Sequence, residues 1–286
     1  MSIKTAISWA LAASLLASAS AFAQAPSDQS GSLHYAPSSN PFSALVGKKR
    51  ERPEQRIRGG AVQRYVLASD DRAFLFEDRS NSARIKFLCG NGDIRLDCTL
   101  DPEGPTAEIY LVTPTRGPRG DVIYKNAEGD TLLRIASYGG ATVYWPGVFE
   151  GAAASRSFGD DAALRLPSAD YNAARRRAAS ATAIVSALAG APIAFDLGDA
   201  AERQEADHAV LADAVARAAK GLKDVADDTT GARVIAGRIG RVLFVRADAP
   251  GVSLEGDALR ISYVPKADIE GRPSSSAVTR YLEETL

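Results

Sequence analysis

Between Ala61 and Gly147 the apolar positions come in short runs, each closed by Gly, Asn, Asp or Ser. The runs are Tyr65-Val66-Leu67, Ala73 to Phe76, Ile85 to Leu88, Ile94-Arg95-Leu96, Glu108 to Val112, Val122-Ile123-Tyr124, Leu132 to Ile135 and Thr142 to Trp145. Runs this short, at intervals of about ten residues, predict an all-β meander over residues 61–150, rolled into a barrel or stacked as a sandwich. Asn126 to Gly129 predicts a hairpin loop, and Gly90 to Asp93 a tight turn between two strands.

After Pro146 the pattern changes. Residues 151–167 are small and polar and read as a connector. Residues 169–189 and 200–226 are Ala-rich and free of Pro, and predict two long helices. Tyr171, Ala174, Ala178, Ala181, Val185 and Leu188 make a narrow stripe on the first. On the second, Leu211, Val215, Ala218, Leu222 and Val225 recur at spacings of four and three, with Asp199 and Glu202 as a capping pair. Pro192 to Asp196, Arg241 to Arg246 and Ala258 to Val264 predict strands, the second apolar enough for burial on both faces. A last helix, capped by Ser274 or Ser275, presents Val278, Tyr281 and Leu282 on one face. The fold class is therefore α+β: an N-terminal all-β meander, then a smaller α+β domain over residues 168–286.

The first residues concern the protein's address. Lys4 precedes an apolar run from Ala6 to Ala19, followed by Ala21-Phe22-Ala23. That layout predicts a secretory signal peptide over residues 1–23, cleaved near Ala23, and a periplasmic or secreted protein. The run is too short to span a bilayer comfortably, so no transmembrane segment is expected in the mature chain. Residues 24–60 lack periodicity and read as a disordered linker; Lys48 to Arg58 carries six positive charges against two negative.

Charge and rare residues narrow the chemistry. A formal net charge of −1 gives no global field toward nucleic acid. Two histidines, His34 and His208, are too few for the usual zinc sites, so neither metal nor cofactor is expected. In an exported chain the two cysteines, Cys89 and Cys98, predict a structural disulfide. Their spacing is not the Cys-x-x-Cys of a redox pair.

Candidate sites are few. Pro114 to Tyr124 is the densest turn signal, and its Arg116, Arg119 and Asp121 are candidates for an anionic ligand. The Arg119-Gly120-Asp121 tripeptide reads first as a rigid loop. Tyr124, Tyr138, Tyr144 and Trp145 would stack on sugar rings if exposed, or pack in the sheet. His208 beside Asp207 has the makings of a general base, but no nucleophile motif accompanies it, and a buried structural histidine is the plainer reading. The acids Asp196 to Asp207 suit a helix start better than calcium. Arg175-Arg176-Arg177 reads as a solvated face, and Asp227 to Gly231 as a loop leaving a helix.

Val112 to Asn126, Gly139 to Pro146, Ala206 to Asp213 and Gly271 to Ser275 resemble a family of exported bacterial proteins classed as a domain of unknown function. The resemblance implies a Gram-negative periplasm and carries no activity with it. Two expectations follow. One is a non-catalytic protein binding an envelope ligand, glycan or protein partner. The other is a carboxylate-dependent hydrolase of envelope polymers, with Asp121 and Asp196 the first acids to consider. No catalytic residue is named by the sequence.

Overall fold

Alternating buried and part-exposed positions start the first strand and continue around a closed, eight-stranded antiparallel barrel. The computed structural model describes residues 60–79, 82–104, 106–159, 161–201 and 208–286. The expected signal peptide and nearly all of the expected linker lie outside them. The barrel strands are β1 (Val62–Leu67), β2 (Ala73–Arg79) and β3 (Ser82–Phe87), then, after a helical turn α1 (Leu96–Thr99), β4 (Ile109–Arg116), β5 (Val122–Lys125), β6 (Thr131–Ile135), β7 (Ala141–Tyr144) and β8 (Gly151–Ser157). Each pairs with the next, and β8 closes on β1 with Leu67 opposite Ala154. Eight strands leave an interior that side chains can fill. Phe74, Phe76, Ile85, Phe87, Leu133 and Val143 fill it, with Phe87 and Trp145 edge to face at 4.6 Å between ring centroids.

An up-and-down meander puts alternate turns at opposite ends. The turns 117–121 and 136–140 and the chain leaving β8 share one end, the arginine end. The loops 68–72, 88–108, 126–130 and 145–150 share the other, the disulfide end.

Two barrel elements differ from the sequence reading. Ile94-Arg95-Leu96 is not a strand: Asp93 accepts the Arg95 N–H and grips its guanidinium, which turns the chain into α1 and leaves Ile94 exposed. Residues 151–157, read as connector, form β8, whose Gly-Ala-Ala-Ala-Ser lacks the branched side chains that usually mark strands. The Cys89–Cys98 disulfide is present, with Cα atoms 5.6 Å apart. It braces the loop that delivers Leu96 and Leu100 into the helical core.

The second half contains α2 (Tyr171–Ala189), β9 (Ala194–Asp196), α3 (Ala209–Ala226), α4 (Thr229–Arg238), β10 (Arg241–Arg246), β11 (Gly251–Glu255), β12 (Ala258–Tyr263) and α5 (Ser275–Thr285). Asp170 caps α2 by accepting the Ala173 N–H, and Gly190, at φ 70°, ends it. The sheet order is β11-β12-β10-β9, with β9, β10 and β12 parallel and β11 antiparallel to β12. One sheet face, carrying Val242, Phe244, Leu259 and Ile261, lies in the helical core. Leu243 and Val245 are only half-buried, so β10 is not buried on both faces as its run of apolar residues predicted. Asp228 caps α4 through two N–H groups where the sequence read a loop. α3 is buried on nearly all sides, mostly by alanines that let α2 approach. Asp199 falls in a 3-10 turn (Gly198–Ala201), and its expected capping partner Glu202 lies outside the described residues.

A buried ionic seam joins the barrel to the helices, and residues 55–286 form one compact unit. Glu108, just before β4, has no solvent exposure. It accepts the Ser275 N–H at 3.0 Å and the Ser275 hydroxyl, with Arg217 at 3.3 Å and Arg272 at 3.7 Å. Asp213 pairs with both arginines. Arg217 also donates to the Thr106 carbonyl and Arg272 to that of Ile109. Farther along, Arg177 reaches Asp101, and Arg84 reaches Asp268 and Glu270. Arg177 is thus buried, not part of a solvated arginine face.

Candidate functional site

Where the disulfide end of the barrel meets α3 and α5, the surface opens into a cleft of about 570 Å³. Its barrel wall is the β5–β6 hairpin and the 145–149 loop. The hairpin is stiff for a local reason. Asn126 and Asp130 bond to each other through backbone and side chains, and Gly129 at φ 93° makes the turn. The helical wall is pinned to it: Arg280 donates to the Glu128 carbonyl at 2.6 Å, and the Ser274 hydroxyl to the Glu128 carboxylate at 3.1 Å. The other Glu128 oxygen is buried and has no hydrogen-bond partner among the described residues.

Four carboxylates line this cleft, those of Glu128, Asp130, Asp224 and Glu283, against the cations Lys220 and Arg280. Lys220 is engaged with Asp224 at 2.5 Å, one helical turn along α3. Tyr144 and the fully exposed Phe149 add apolar surface. Hydroxyls of Ser276 and Thr279 complete a lining that mixes ring faces with hydrogen-bonding groups.

The residues singled out from the sequence divide between the two barrel ends. Tyr144 and Trp145 reach the cleft. Trp145 is nevertheless buried in the barrel core, with the guanidinium groups of Arg72 and Arg95 at 4.9 and 5.2 Å from its ring. Tyr124 is also interior: its hydroxyl meets Asp78 at 3.4 Å, and burial pushes the phenol pKa up. Burial likewise raises Asp78, against the pull of that hydrogen bond. Neither Tyr124 nor Trp145 is a ring on an open sheet face.

Arg116, Arg119 and Asp121 sit at the arginine end. Asp121 accepts from the Arg134 guanidinium and, at 3.1 Å, from the Ser137 N–H, and these two bonds lower its pKa. Asp196 lies in the other half, accepting the Gly198 N–H beside a shallow groove between α2 and β9. The two acids first considered for hydrolysis are therefore not brought into one cleft. His208 is buried, its ring edge-on to Tyr171. Among the described residues the only close grouping of metal-ligating atoms is Cys89, Asp93 and Cys98, and both sulfurs are used in the disulfide.

Sequence reasoning missed Glu128, Asp130, Asp224 and Glu283. The hairpin signal at 126–129 was visible, but nothing local says that its acids face α3 and α5.

Fold and cleft together define an α+β protein whose antiparallel barrel and helical half share an open, acid- and ring-lined groove. The chain belongs to the family described as Domain of unknown function (DUF4908), whose model matches residues 41–282. No curated protein and no solved structure matches the chain.

Proposed function

We propose that this is an exported, non-catalytic binding protein of the bacterial envelope whose cleft takes a glycan. The lining of the cleft carries the reading: carboxylates, an amide and hydroxyls set among the rings of Tyr144 and Phe149. Sugars present hydroxyls at their edges and C–H groups on their faces, and pockets of this kind combine apolar walls with a few placed polar groups. The unpartnered Glu128 oxygen supports it, since a ligand hydroxyl shifting into that wall would relieve a buried acceptor. Export rests on the N-terminal pattern of Lys4, the apolar run and Ala21-Phe22-Ala23.

Titration of purified envelope saccharides into the protein by calorimetry is the test. Binding should weaken roughly tenfold in Tyr144→Ala, the size of one lost ring contact, and comparably in Asp130→Asn. Absence of binding to any envelope saccharide overturns the glycan reading. A second reading is favoured by the four carboxylates in one cleft: hydrolysis of the same polymers by an acid pair. New reducing ends appearing during incubation, and lost in Glu128→Gln or Glu283→Gln, would replace the binding reading with that one.

A further inference from the structure

The arginine end of the barrel carries a second feature that the glycan cleft does not use. Arg116, Arg119 and Arg156 are exposed there, and none forms an ion pair among the described residues. Asp121, the acid between them in sequence, is already neutralised by Arg134. Two aromatic side chains share this end: Phe158 is 100% exposed and Tyr138 is 81% exposed. Isolated exposed apolar residues need no explanation, but two large rings at the same barrel end as three unpaired guanidinium groups form a pattern.

The loops are also fixed in place. Asp121 ties the Arg119 turn to the Tyr138 turn through the Ser137 N–H. The Tyr138 ring lies on Gly140, where an added Cβ would come within 2.7 Å of it. Arg119 itself is held at φ 59°, a left-handed conformation that a non-glycine residue rarely adopts. The two turns are therefore tied to each other.

The geometry points to this end as a docking face for an anionic lipid surface. Guanidinium groups meet lipid phosphates bidentately, while Phe and Tyr rings suit the boundary between headgroups and acyl chains. Charge complementarity selects an anionic partner, and the two exposed rings select a bilayer surface over a small soluble anion. Local charge decides here, since the chain's net charge of −1 gives no general attraction. Such docking would leave the cleft, at the opposite barrel end, facing away from the membrane.

Vesicle co-sedimentation tests this, using the chain from Gln24 onward so that the apolar leader does not itself partition into lipid. The protein should pellet with phosphatidylcholine vesicles containing phosphatidylglycerol, stay in solution with phosphatidylcholine alone, and be released by salt. Each arginine at an anionic surface is worth about fivefold in partition, so Arg116→Ala/Arg119→Ala should lose about 25-fold. Both side chains are exposed, Arg116 at the end of β4 and Arg119 in the turn after it, so the substitutions leave the core intact, which circular dichroism checks. The matched control, Arg233→Ala/Arg238→Ala on α4, should change nothing. Equal loss in the control, equal pelleting with neutral vesicles, or no pelleting at all overturns the proposal. So does salt-sensitive capture of a soluble polyanion by a protein that ignores vesicles.

Discussion

Glu108 shows how much one side chain holds at this protein's centre. Burial alone would raise its pKa, but Arg217, Arg272 and Lys220, with the Ser275 hydrogen bond, outweigh that and hold it down at about 2. Its folded pKa is therefore below its unfolded one, so the stabilisation is complete above about pH 4.5 and is lost as pH falls toward 2. Glu108→Gln leaves two buried arginines short of a counter-charge and should cost roughly 3–5 kcal/mol. Urea unfolding at neutral pH measures that loss, and the acid limb of the stability profile should flatten in the variant. None of this is legible locally. Thr106-Ala107-Glu108-Ile109 reads like any strand entrance, and its partners lie more than a hundred residues along the chain. Arg177 shows the same effect, since a run of three arginines resembles a solvated face until Asp101 is folded against it.

At the scale of elements, helix contacts depend on small residues in single places. α5 crosses α3 at Gly221, where an added Cβ would lie 2.6 Å from the Cβ of Val278 and 2.9 Å from the Ser275 carbonyl. Gly221→Ala should therefore destabilise by roughly 1–3 kcal/mol, although alanine favours helix, and a thermal melt will show it. Val278 and Leu282 are buried, and the Tyr281 hydroxyl accepts the Leu254 N–H at 2.7 Å. Deleting residues 277–286 should accordingly unfold or greatly weaken the helical half; an unchanged melting temperature would contradict that docking. The disulfide acts through α1. Reduction frees the loop holding Leu96 and Leu100, and should lower stability by roughly 2–3 kcal/mol, read from melts with and without reductant.

For the molecule as a whole, the seam decides cooperativity. Glu108, Asp101 and Arg84 tie the barrel to α3, α2 and the turn before α5, and all three are buried. Separating the halves would strand these charges, so barrel and helices should unfold in one transition. Trp145 fluorescence reports the barrel and far-ultraviolet ellipticity the helices; their denaturation midpoints should coincide. Two separated transitions would show that the seam does not couple the halves.

Local pattern determined the fold class, seven of the eight barrel strands, the first long helix, the second from Ala209 onward although it was expected from residue 200, and the last helix with a serine cap that the structure assigns to Ser274; cysteine count and an expected export gave the disulfide pair. These are short-range matters: spacing of apolar residues, turn chemistry and capping act within a few residues, so the sequence displays them directly. β8, β11, α1 and α4 escaped because Ala and Ser strands, a five-residue strand opening on Gly, a four-residue helical turn and an Asp cap after an earlier helix carry weak local signals. Barrel closure, the inward placement of Tyr124 and Trp145, the ionic seam and the acid-lined cleft were decided only by tertiary structure. Each requires residues far apart in the chain to meet in low-dielectric surroundings, where the pairing of a charge or the facing of a ring is fixed by what packs against it.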